Sequence, residues 1–253
     1  PVLIDVPKDV QLASTDYEVQ PIVEPYPMEK ASEANIKAAA EIISEARRPY
    51  IYCGGGVILG KASSEVVALS EKIDAPVGCS MMGLSAISRS HKNALGMQGM
   101  HGTFEASRAM AEADVIIALG VRFSDRATGN KKKFASSARI IHIDIEPAEL
   151  GKNIPAYLGI IADVKDTVIR LIDAVKEKKN DEWRAKVEDF KKRSENPNFD
   201  PADMRPFQII DCVGKYTNEN TVIATDVGQH QMWPAQRYPF KKPQTFVTSG
   251  GLG

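Results

Sequence analysis

Two arginines spaced four residues apart could bind a pyrophosphate. Arg122 and Arg126 flank Asp125 and come shortly after the apolar run 113–120. Each guanidinium can donate two parallel hydrogen bonds, a geometry that matches the oxygens of a phosphate group. A surface cluster of ion pairs is the alternative interpretation. Because the apolar run predicts a strand covered on both faces, the arginines are expected at the carboxyl edge of a sheet, where ligands bind.

Three consecutive glycines offer a second contact for phosphate. Residues 54–56 follow the apolar run 49–53 and precede a helical pattern, so their backbone could approach a phosphate at a helix N-terminus. A tight turn is the alternative. A nicotinamide site would need the spacing GxGxxG and an acidic residue after the second strand, but that strand ends at Cys79 and Ser80. The sequence therefore disfavours a nicotinamide dehydrogenase and leaves other nucleotides open.

Two aspartates could complete a nucleotide site. Asp144 and Asp163 end the apolar runs 138–144 and 157–163. Ligands of a doubly wound sheet bind outside the carboxyl ends of its strands, so each carboxylate could accept from a ribose hydroxyl or an adenine amine. An Asx turn or a helix N-cap is the alternative for either residue alone. His101, which glycines flank, is expected beside a flat ring at the same edge and is given no acid–base role.

Strands and helices that alternate along the chain would hold these groups at one edge. Apolar runs predict the strands, and a period of 3.6 residues predicts the helices, the first of them capped by Ser32. Strands are expected at 49–53, 76–80, 113–120, 138–145 and 157–163, and helices at 32–43, 62–73, 103–113 and 164–176. This alternation predicts βαβ units and an α/β fold with a doubly wound parallel sheet.

The sequence outside this alternating region predicts pieces of other domains. The expected division is the end of one domain with a linker at 1–29, a central domain at 30–178, a charged second linker at 179–203, and the start of another α/β unit at 204–253. The last unit is expected to hold a helix near 206–216 and a strand at 221–226. The first seven residues have the apolar pattern of a strand, so both termini are interpreted as cuts.

Composition narrows the possible partners. The formal net charge is -1, with 43% hydrophobic and 26% charged residues, which gives no electrostatic reason to expect nucleic acid or a membrane surface. The three cysteines are widely spaced and odd in number, which predicts a reducing compartment, by default the cytoplasm. No histidines or cysteines have metal-ligand spacing, so no metal site is predicted.

A series of longer motifs points to one family. In chain order they are IDVPKDVQ, YCGGGVILG, MMGL, GMHGTFEA, GVRFSDRATG, HIDIEPAELGKN, DVGQHQMWPAQ and TSGGLG. The whole chain resembles the large subunit of FAD-containing acetolactate synthase (acetohydroxyacid synthase), a thiamine-diphosphate enzyme. The sequence departs from the family at three places. Ser124 replaces a common aspartate, Ser80-Met81 replaces threonine-leucine, and Pro234, expected at a helix start, replaces a small residue.

The resemblance implies three α/β domains that bind pyrimidine, FAD and diphosphate, the central one Rossmann-like. It implies that pyruvate is decarboxylated on the thiamine ring and the resulting carbanion is added to a second 2-oxo acid. The products are acetolactate or acetohydroxybutyrate, for branched-chain amino-acid biosynthesis. FAD in this family does no net redox work, so its site is largely architectural. The resemblance also implies a homodimer or tetramer, with a possible small regulatory subunit.

Carried over residue by residue, the resemblance assigns three sets of contacts. FAD contacts are expected at Gly54, Gly55, Gly56, Ser80, Met81, Gly99, Met100, His101, Gly102, Gly120, Arg122, Arg126, Asp144, Ile145, Glu149, Asp163 and Val164. Thiamine-diphosphate contacts are expected at Val227, Gly228, Gln229, His230 and Gly253. Substrate-channel positions are expected at Lys8, Met100, Asp125 and Arg126.

The resemblance also implies that the groups for catalysis lie elsewhere. The glutamate that activates the thiamine ring would precede Pro1, and the ligands of Mg²⁺ would follow Gly253. No catalytic residue is therefore expected within the chain, and the chain by itself is predicted to be inactive. Two alternatives stay open: a non-catalytic FAD- or nucleotide-binding module, and another FAD-containing thiamine-diphosphate enzyme such as pyruvate oxidase or glyoxylate carboligase. The motif DVGQHQMW argues against the module, which would need no thiamine-diphosphate segment.

Overall fold

A parallel six-stranded sheet forms the centre of the computed structural model, which describes residues 4–19, 21, 28–132, 134–194 and 205–251. Its strands are β1 Pro49–Cys53, β2 Val77–Cys79, β3 Ala94–Met97, β4 Val115–Leu119, β5 Arg139–Asp144 and β6 Leu158–Ile161. They lie in the order β3-β2-β1-β4-β5-β6, and every neighbouring pair is parallel. The predicted doubly wound parallel sheet is confirmed. The sequence did not predict β3.

The strand order reverses between β1 and β4, which are neighbours in the sheet. Chain connections leave in opposite directions on the two sides of this point, so the loops after β1 and β4 diverge and leave a crevice at the carboxyl edge. This is where the order of the strands alone would locate a ligand.

Ten helices and one small sheet complete the described residues. The helices are α1 Lys8–Leu12, α2 Glu33–Glu45, α3 Gly55–Leu59, α4 Ser63–Lys72, α5 Phe104–Glu112, α6 Asp125–Thr128, α7 Val164–Ala174, α8 Asp181–Ser194, α9 Pro206–Tyr216 and α10 Gln229–Arg237. A separate parallel pair consists of β7 Ile223–Thr225 and β8 Phe246–Thr248. None of these helices is long and apolar enough to span a membrane.

Side-chain hydrogen bonds cap the N-termini of α2, α5 and α7. Ser32 Oγ accepts from Asn35 N at 3.1 Å, which confirms the predicted cap of α2. Thr103 Oγ1 caps α5 in the same way, and Asp163 Oδ1 caps α7. Each cap satisfies a backbone N–H that has no partner inside the helix.

Hydrophobic cores lie on both faces of the large sheet. Ile51 and Cys53 of β1 pack with α2, α4 and α7, whereas Tyr50 and Tyr52 pack with α5 and α8. All four side chains are completely buried, as the unbroken apolar sequence of a central parallel strand predicts.

The prediction of a linker at 179–203 is wrong for residues 181–194, which form α8. Trp183, Val187 and Phe190 are buried on one face of this helix, and Trp183 Nε1 donates to Pro49 O at 3.0 Å. The other faces carry the charges that suggested a linker. These three apolar side chains are spaced four and three residues apart, so they form a stripe along one face of a helix. This periodicity predicts a helix even though the composition of the segment is charged. Residues 195–203 lie outside the described part.

The prediction that the first seven residues form a strand is also wrong for residues 4–7, which the structure describes. Residues 4–7 have no regular structure, and α1 begins at Lys8. A strand needs a neighbour for its backbone hydrogen bonds, and the described part of the chain offers none there. Residues 13–19 have no helix or strand.

The unit at 205–251 packs against the β3 edge of the large sheet. Ala235 of α10 lies in the core that contains α2, and the backbone N–H of Arg89 donates to Phe240 O at 2.8 Å. Pro234 was expected at a helix start but is the sixth of nine residues in α10. It has no N–H to donate to His230 O, so this short helix loses one internal hydrogen bond.

Candidate functional site

Glycines where the strand order reverses bring the loops after β1 and β4 into backbone contact. Gly54 N donates to Leu119 O at 2.9 Å, and Gly56 N donates to Gly120 O at 3.2 Å. A Cβ at Gly54 would lie 1.9 Å from Gly120 O, and Gly120 has a φ of 57°. Gly54 is the N-cap of α3, and Gly55 and Gly56 are its first two residues, so the three glycines lie at a helix N-terminus and not in a tight turn. Gly55 and Gly56 are half-buried, so part of the backbone at this helix start stays open to a phosphate.

The two arginines after β4 are exposed and form no ion pair with any described residue. This finding counts against the surface ion-pair interpretation. Between them, Phe123 is buried with a φ of 47°, a strained conformation for a residue with a side chain. Its ring contacts the rings of Tyr52 and His142. Burial of Phe123 leaves Arg122 and Arg126 on the solvent side of the loop.

Two side chains hold the backbone of this loop. His142 Nε2 donates to Val121 O at 2.9 Å, and Asn153 Nδ2 donates to Arg122 O at 3.3 Å. Burial lowers the pKa of His142, and the carboxylate of Asp144 partly opposes that shift. A neutral imidazole with its proton on Nε2 fits the bond to Val121 O. Its Nδ1 is buried and has no partner among the described residues.

The loop at 98–102 lies against α6. Met100 N donates to Arg126 O at 2.8 Å, and Gly99 has a φ of 115° with no space for a Cβ beside Arg126 O. The side chain of Met100 is 70% exposed. A cavity of about 300 Å³ lies between this loop, α5 and residues 126–135. The loop therefore carries an exposed thioether and an exposed histidine to the same edge as the arginines.

The aspartates after β5 and β6 each use one oxygen for the backbone. Asp144 Oδ1 accepts from Glu146 N at 3.0 Å, and Asp163 Oδ1 accepts from Asp166 N at 2.8 Å. The alternatives foreseen for them, an Asx turn and an N-cap, are both present. The second oxygen of each forms no hydrogen bond with a described residue, so each retains an acceptor for a ligand.

Glu149 supplies a further acceptor near the end of β5. Its Oε1 accepts from Lys152 Nζ at 2.8 Å, whereas its Oε2 is buried without a partner in the described part of the chain. A buried carboxylate oxygen left unpaired is costly, so a ligand hydroxyl or amine that donates to it would be favoured. Ile145, which directly follows β5, is 58% exposed and offers an apolar surface.

Residues after β2 lie between the end of β1 and the unit at 205–251. Ser80 N donates to Cys53 O at 2.8 Å, and Ser80 Oγ caps the 3₁₀ turn that Met81 begins. Met82 follows, and its sulfur lies 3.7 Å from the position of a Cβ on Gly250. The end of β2 thus contacts the glycine turn after β8.

The turn after β7 forms a second candidate site. Val227 and Gly228 precede α10, whose first residues are Gln229 and His230, so backbone N–H groups face the carboxyl edge of the small sheet. Gln231 is completely buried, and its Nε2 donates to Thr248 Oγ1 and to Gly250 O. This residue joins the start of α10 to the glycine turn after β8.

The central region matches the model of one protein family, described as thiamine pyrophosphate enzyme, central domain, over residues 36–171. The match covers more than half of the chain and all six strands of the large sheet. The chain belongs to the thiamine pyrophosphate enzyme family.

Longer relatives of this thiamine pyrophosphate enzyme domain align along the whole chain. The chain is 42% identical to the acetolactate synthase isozyme 1 large subunit of Escherichia coli, covering 100% of this chain and 45% of that protein. It is also 42% identical to a probable acetolactate synthase large subunit of Methanocaldococcus jannaschii, 46% of which is covered. An acetolactate synthase of Mycobacterium leprae is 38% identical, with 42% covered. The chain thus spans somewhat less than half the length of these relatives.

The thiamine pyrophosphate enzyme fold brings most of the expected site residues to strand ends. The residues that follow or end β1 to β6 and line one edge are Gly54, Gly55, Gly56, Ser80, Met81, Gly99, Met100, His101, Gly102, Gly120, Arg122, Asp125, Arg126, Asp144, Ile145, Glu149, Asp163 and Val164. Lys8 lies on the exposed helix α1, and within the described residues no hydrogen bond or ion pair joins it to Asp125 or Arg126. Gly253 lies outside the described part.

Sequence reasoning missed the residues that hold the arginine-bearing loop at this edge of the sheet. Phe123, His142 and Asn153 hold the loop that carries the arginines, and none was given that role. A signal was present for Phe123, because one large apolar residue within the polar and charged run 122–126 indicates a buried anchor. The contact between His142 and Val121 crosses strands and has no local sequence signal.

Proposed function

We propose that the chain is part of the catalytic large subunit of an acetolactate synthase. The reaction condenses two pyruvates, or pyruvate with 2-oxobutyrate, to acetolactate or acetohydroxybutyrate with release of CO₂, in branched-chain amino-acid biosynthesis. One observation carries the proposal. The carboxyl edges of the large and small sheets meet where Met82 approaches Gly250, and each edge carries a motif of the acetolactate synthases. Two cofactor sites side by side are what that enzyme needs.

We propose FAD as the ligand of the large sheet. Arg122 and Arg126 would bind its pyrophosphate, since neither guanidinium has an ion-pair partner among the described residues. Glu149 and the second oxygen of Asp144 would accept from the ribose hydroxyls or the adenine amine. When bound, FAD would supply rigidity rather than electron transfer.

We propose that the start of α10 binds the diphosphate of thiamine diphosphate through Val227, Gly228, Gln229 and His230, together with Gly253. The N–H groups at this helix start suit an anion. Thiamine diphosphate would supply the carbon on which pyruvate is decarboxylated. The glutamate that activates thiamine diphosphate and the ligands of Mg²⁺ would correspond to regions of the relatives that this chain does not cover.

The remaining proposals concern substrate and partners. Lys8, Met100, Asp125 and Arg126 would line the path of the 2-oxo acid. The relatives from Escherichia coli and Buchnera aphidicola are named as large subunits, which supports a smaller partner subunit here, on a homodimer or tetramer. All three cysteines are free thiols, which supports the reducing cytoplasm as the site of action.

A region exchange tests the proposed activity. The segment of the Escherichia coli relative that aligns with this chain is replaced by residues 1–253, and acetolactate formed from pyruvate is measured with FAD, thiamine diphosphate and Mg²⁺. We expect an active hybrid and no acetolactate from the 253-residue chain alone. A folded hybrid that retains FAD but makes no acetolactate would contradict the proposal. Oxidation of pyruvate in place of condensation would indicate a pyruvate oxidase.

A further inference from the structure

The side chain of Arg89 occupies space that only a glycine could provide. A Cβ on Gly96 of β3 would lie 1.8 Å from Arg89 Nη1 and 2.6 Å from its Cζ. The guanidinium continues past this glycine to Glu105, the second residue of α5, where Nη2 lies 3.4 Å from Oε1. Gly96 in β3 and Glu105 in α5 lie on either side of the loop 98–102, so one side chain contacts both elements that hold that loop.

This ion pair is well shielded from solvent. The exposed fractions are 28% for the side chain of Arg89 and 9% for that of Glu105. Arg89 Nη1 and Glu105 Oε2 are buried without a partner in the described part of the chain. Loss of either member would leave the other charge shielded and unpaired, which costs far more than loss of a surface pair.

The main chain of Arg89 contacts the second unit at the same point. Its N–H donates to Phe240 O at 2.8 Å, three residues after α10 ends. From the opposite direction, Gln236 Nε2 of α10 donates to His101 O at 2.7 Å. The loop 98–102 and α10 are therefore connected twice, once directly and once through Arg89.

We infer that Arg89 is a positioning residue that couples the loop 98–102 to α10, so that a ligand ordering the loop also orders α10 from its C-terminal end. The inference rests on the proposed function, because loop and helix are its FAD and thiamine-diphosphate contacts. The guanidinium touches neither proposed ligand. It acts by fixing the turn at residue 89, and with it the N–H that holds Phe240.

Amide hydrogen exchange of the 253-residue chain tests the coupling without any ligand. In Arg89→Ala we expect the amides of α10 to exchange about tenfold faster, while β4 and β5 stay protected as in the wild type. Arg89→Lys should restore part of this protection, because lysine keeps the charge without the planar fork. Arg108→Ala removes an exposed pair with Glu112 on α5 and serves as the matched control, with no change in α10.

Added FAD gives the second readout. In the wild type we expect FAD to slow exchange in both the loop 98–102 and α10, and in Arg89→Ala only in the loop. Glu105→Gln removes the other charge of the pair with almost no change in shape, so its α10 amides should exchange as fast as those of Arg89→Ala. It replaces Arg89→Ala in the test if the alanine variant does not fold. Equal α10 exchange in wild type and both variants, with and without FAD, would overturn the inference. If FAD slows neither segment in the folded wild type, the proposed function fails, and the ligand-free comparison still decides the role of Arg89.

Discussion

At the scale of single residues, His142 shows how burial selects one protonation state. The imidazole lies within β5, is completely buried, and donates through Nε2 to the loop that carries Arg122. Protonation would place a positive charge in the core, and burial therefore lowers its pKa below the ordinary value of about 6.5.

This shift predicts loss of stability in mild acid. Between the lowered folded pKa and about pH 6.5, the unfolded chain binds more protons than the folded chain, so the free energy of unfolding decreases as pH falls through that window. Urea unfolding at a series of pH values from 7.5 to 5 measures the slope. His142→Gln, which can still donate to Val121 O, should have a shallower slope than the wild type. Equal slopes would contradict the assignment.

The three thiols differ sharply in their surroundings. Cys53 and Cys79 are register partners on β1 and β2 and are buried, whereas Cys212 on α9 is exposed. A hydrogen bond to Cys79 and burial raise the pKa of Cys53 well above its usual range. Because the thiolate is the reactive form, we expect one thiol to react rapidly with a disulfide reagent in the native chain and three in denaturant. Rapid reaction of two or three native thiols would disagree with this packing.

At the scale of elements, the sequence predicted best where apolar runs were long. The runs that became β1, β4 and β5 are buried on both faces, as the unbroken apolar sequence of a central parallel strand predicts. Strand β3 escaped prediction because it has only four residues and includes Gly96 with a φ of 86°. A glycine is needed there because the guanidinium of Arg89 occupies the space of a Cβ, and this contact has no signal in the local sequence.

Helix α8 escaped prediction for a different reason and yields a stability test. Its mean composition is charged, but Trp183 fills the core and bonds to the backbone of β1. We expect Trp183→Ala to lower the free energy of unfolding by about 3–5 kcal/mol, as large-to-small changes in cores do. Lys192→Ala, on the exposed face of the same helix, should change it by less than about 0.5 kcal/mol. Equal, small effects in urea unfolding would mean that α8 is only loosely attached.

The contact between the loops after β1 and β4 gives a second test at this scale. In Gly54→Ala the new Cβ would lie 1.9 Å from Gly120 O, so the loops must separate. We expect a loss of about 1–3 kcal/mol in the free energy of unfolding, typical of overpacking. Gly251→Ala is the matched control, since a Cβ there meets nothing within 4 Å. Equal stability of the two variants would show that the loops are not in contact.

At the scale of the whole molecule, two sheets of different size present their carboxyl edges to each other. Met82, after β2, lies beside Gly250, after β8, and Gln236 near the end of α10 donates to His101 O in the loop after β3. Alternation of strands and helices predicted the larger edge, and with it the glycines, the arginines and the aspartates. The packing of the second unit on β3 depends on Arg89, Phe240 and Gln236, which are far apart in sequence and carry no shared motif.

The central claim is that the larger edge binds FAD through unpaired arginines, and a flavin titration tests it most directly. Quenching of flavin fluorescence by the purified chain is measured for wild type, Arg122→Ala, Arg126→Ala and the control Lys132→Ala. The account predicts saturable binding by the wild type and by the control, and binding weakened about tenfold or more by loss of either arginine, since each donates charge-assisted hydrogen bonds. A folded wild-type chain that does not quench flavin fluorescence, or arginine variants that bind as well as the control, would contradict it.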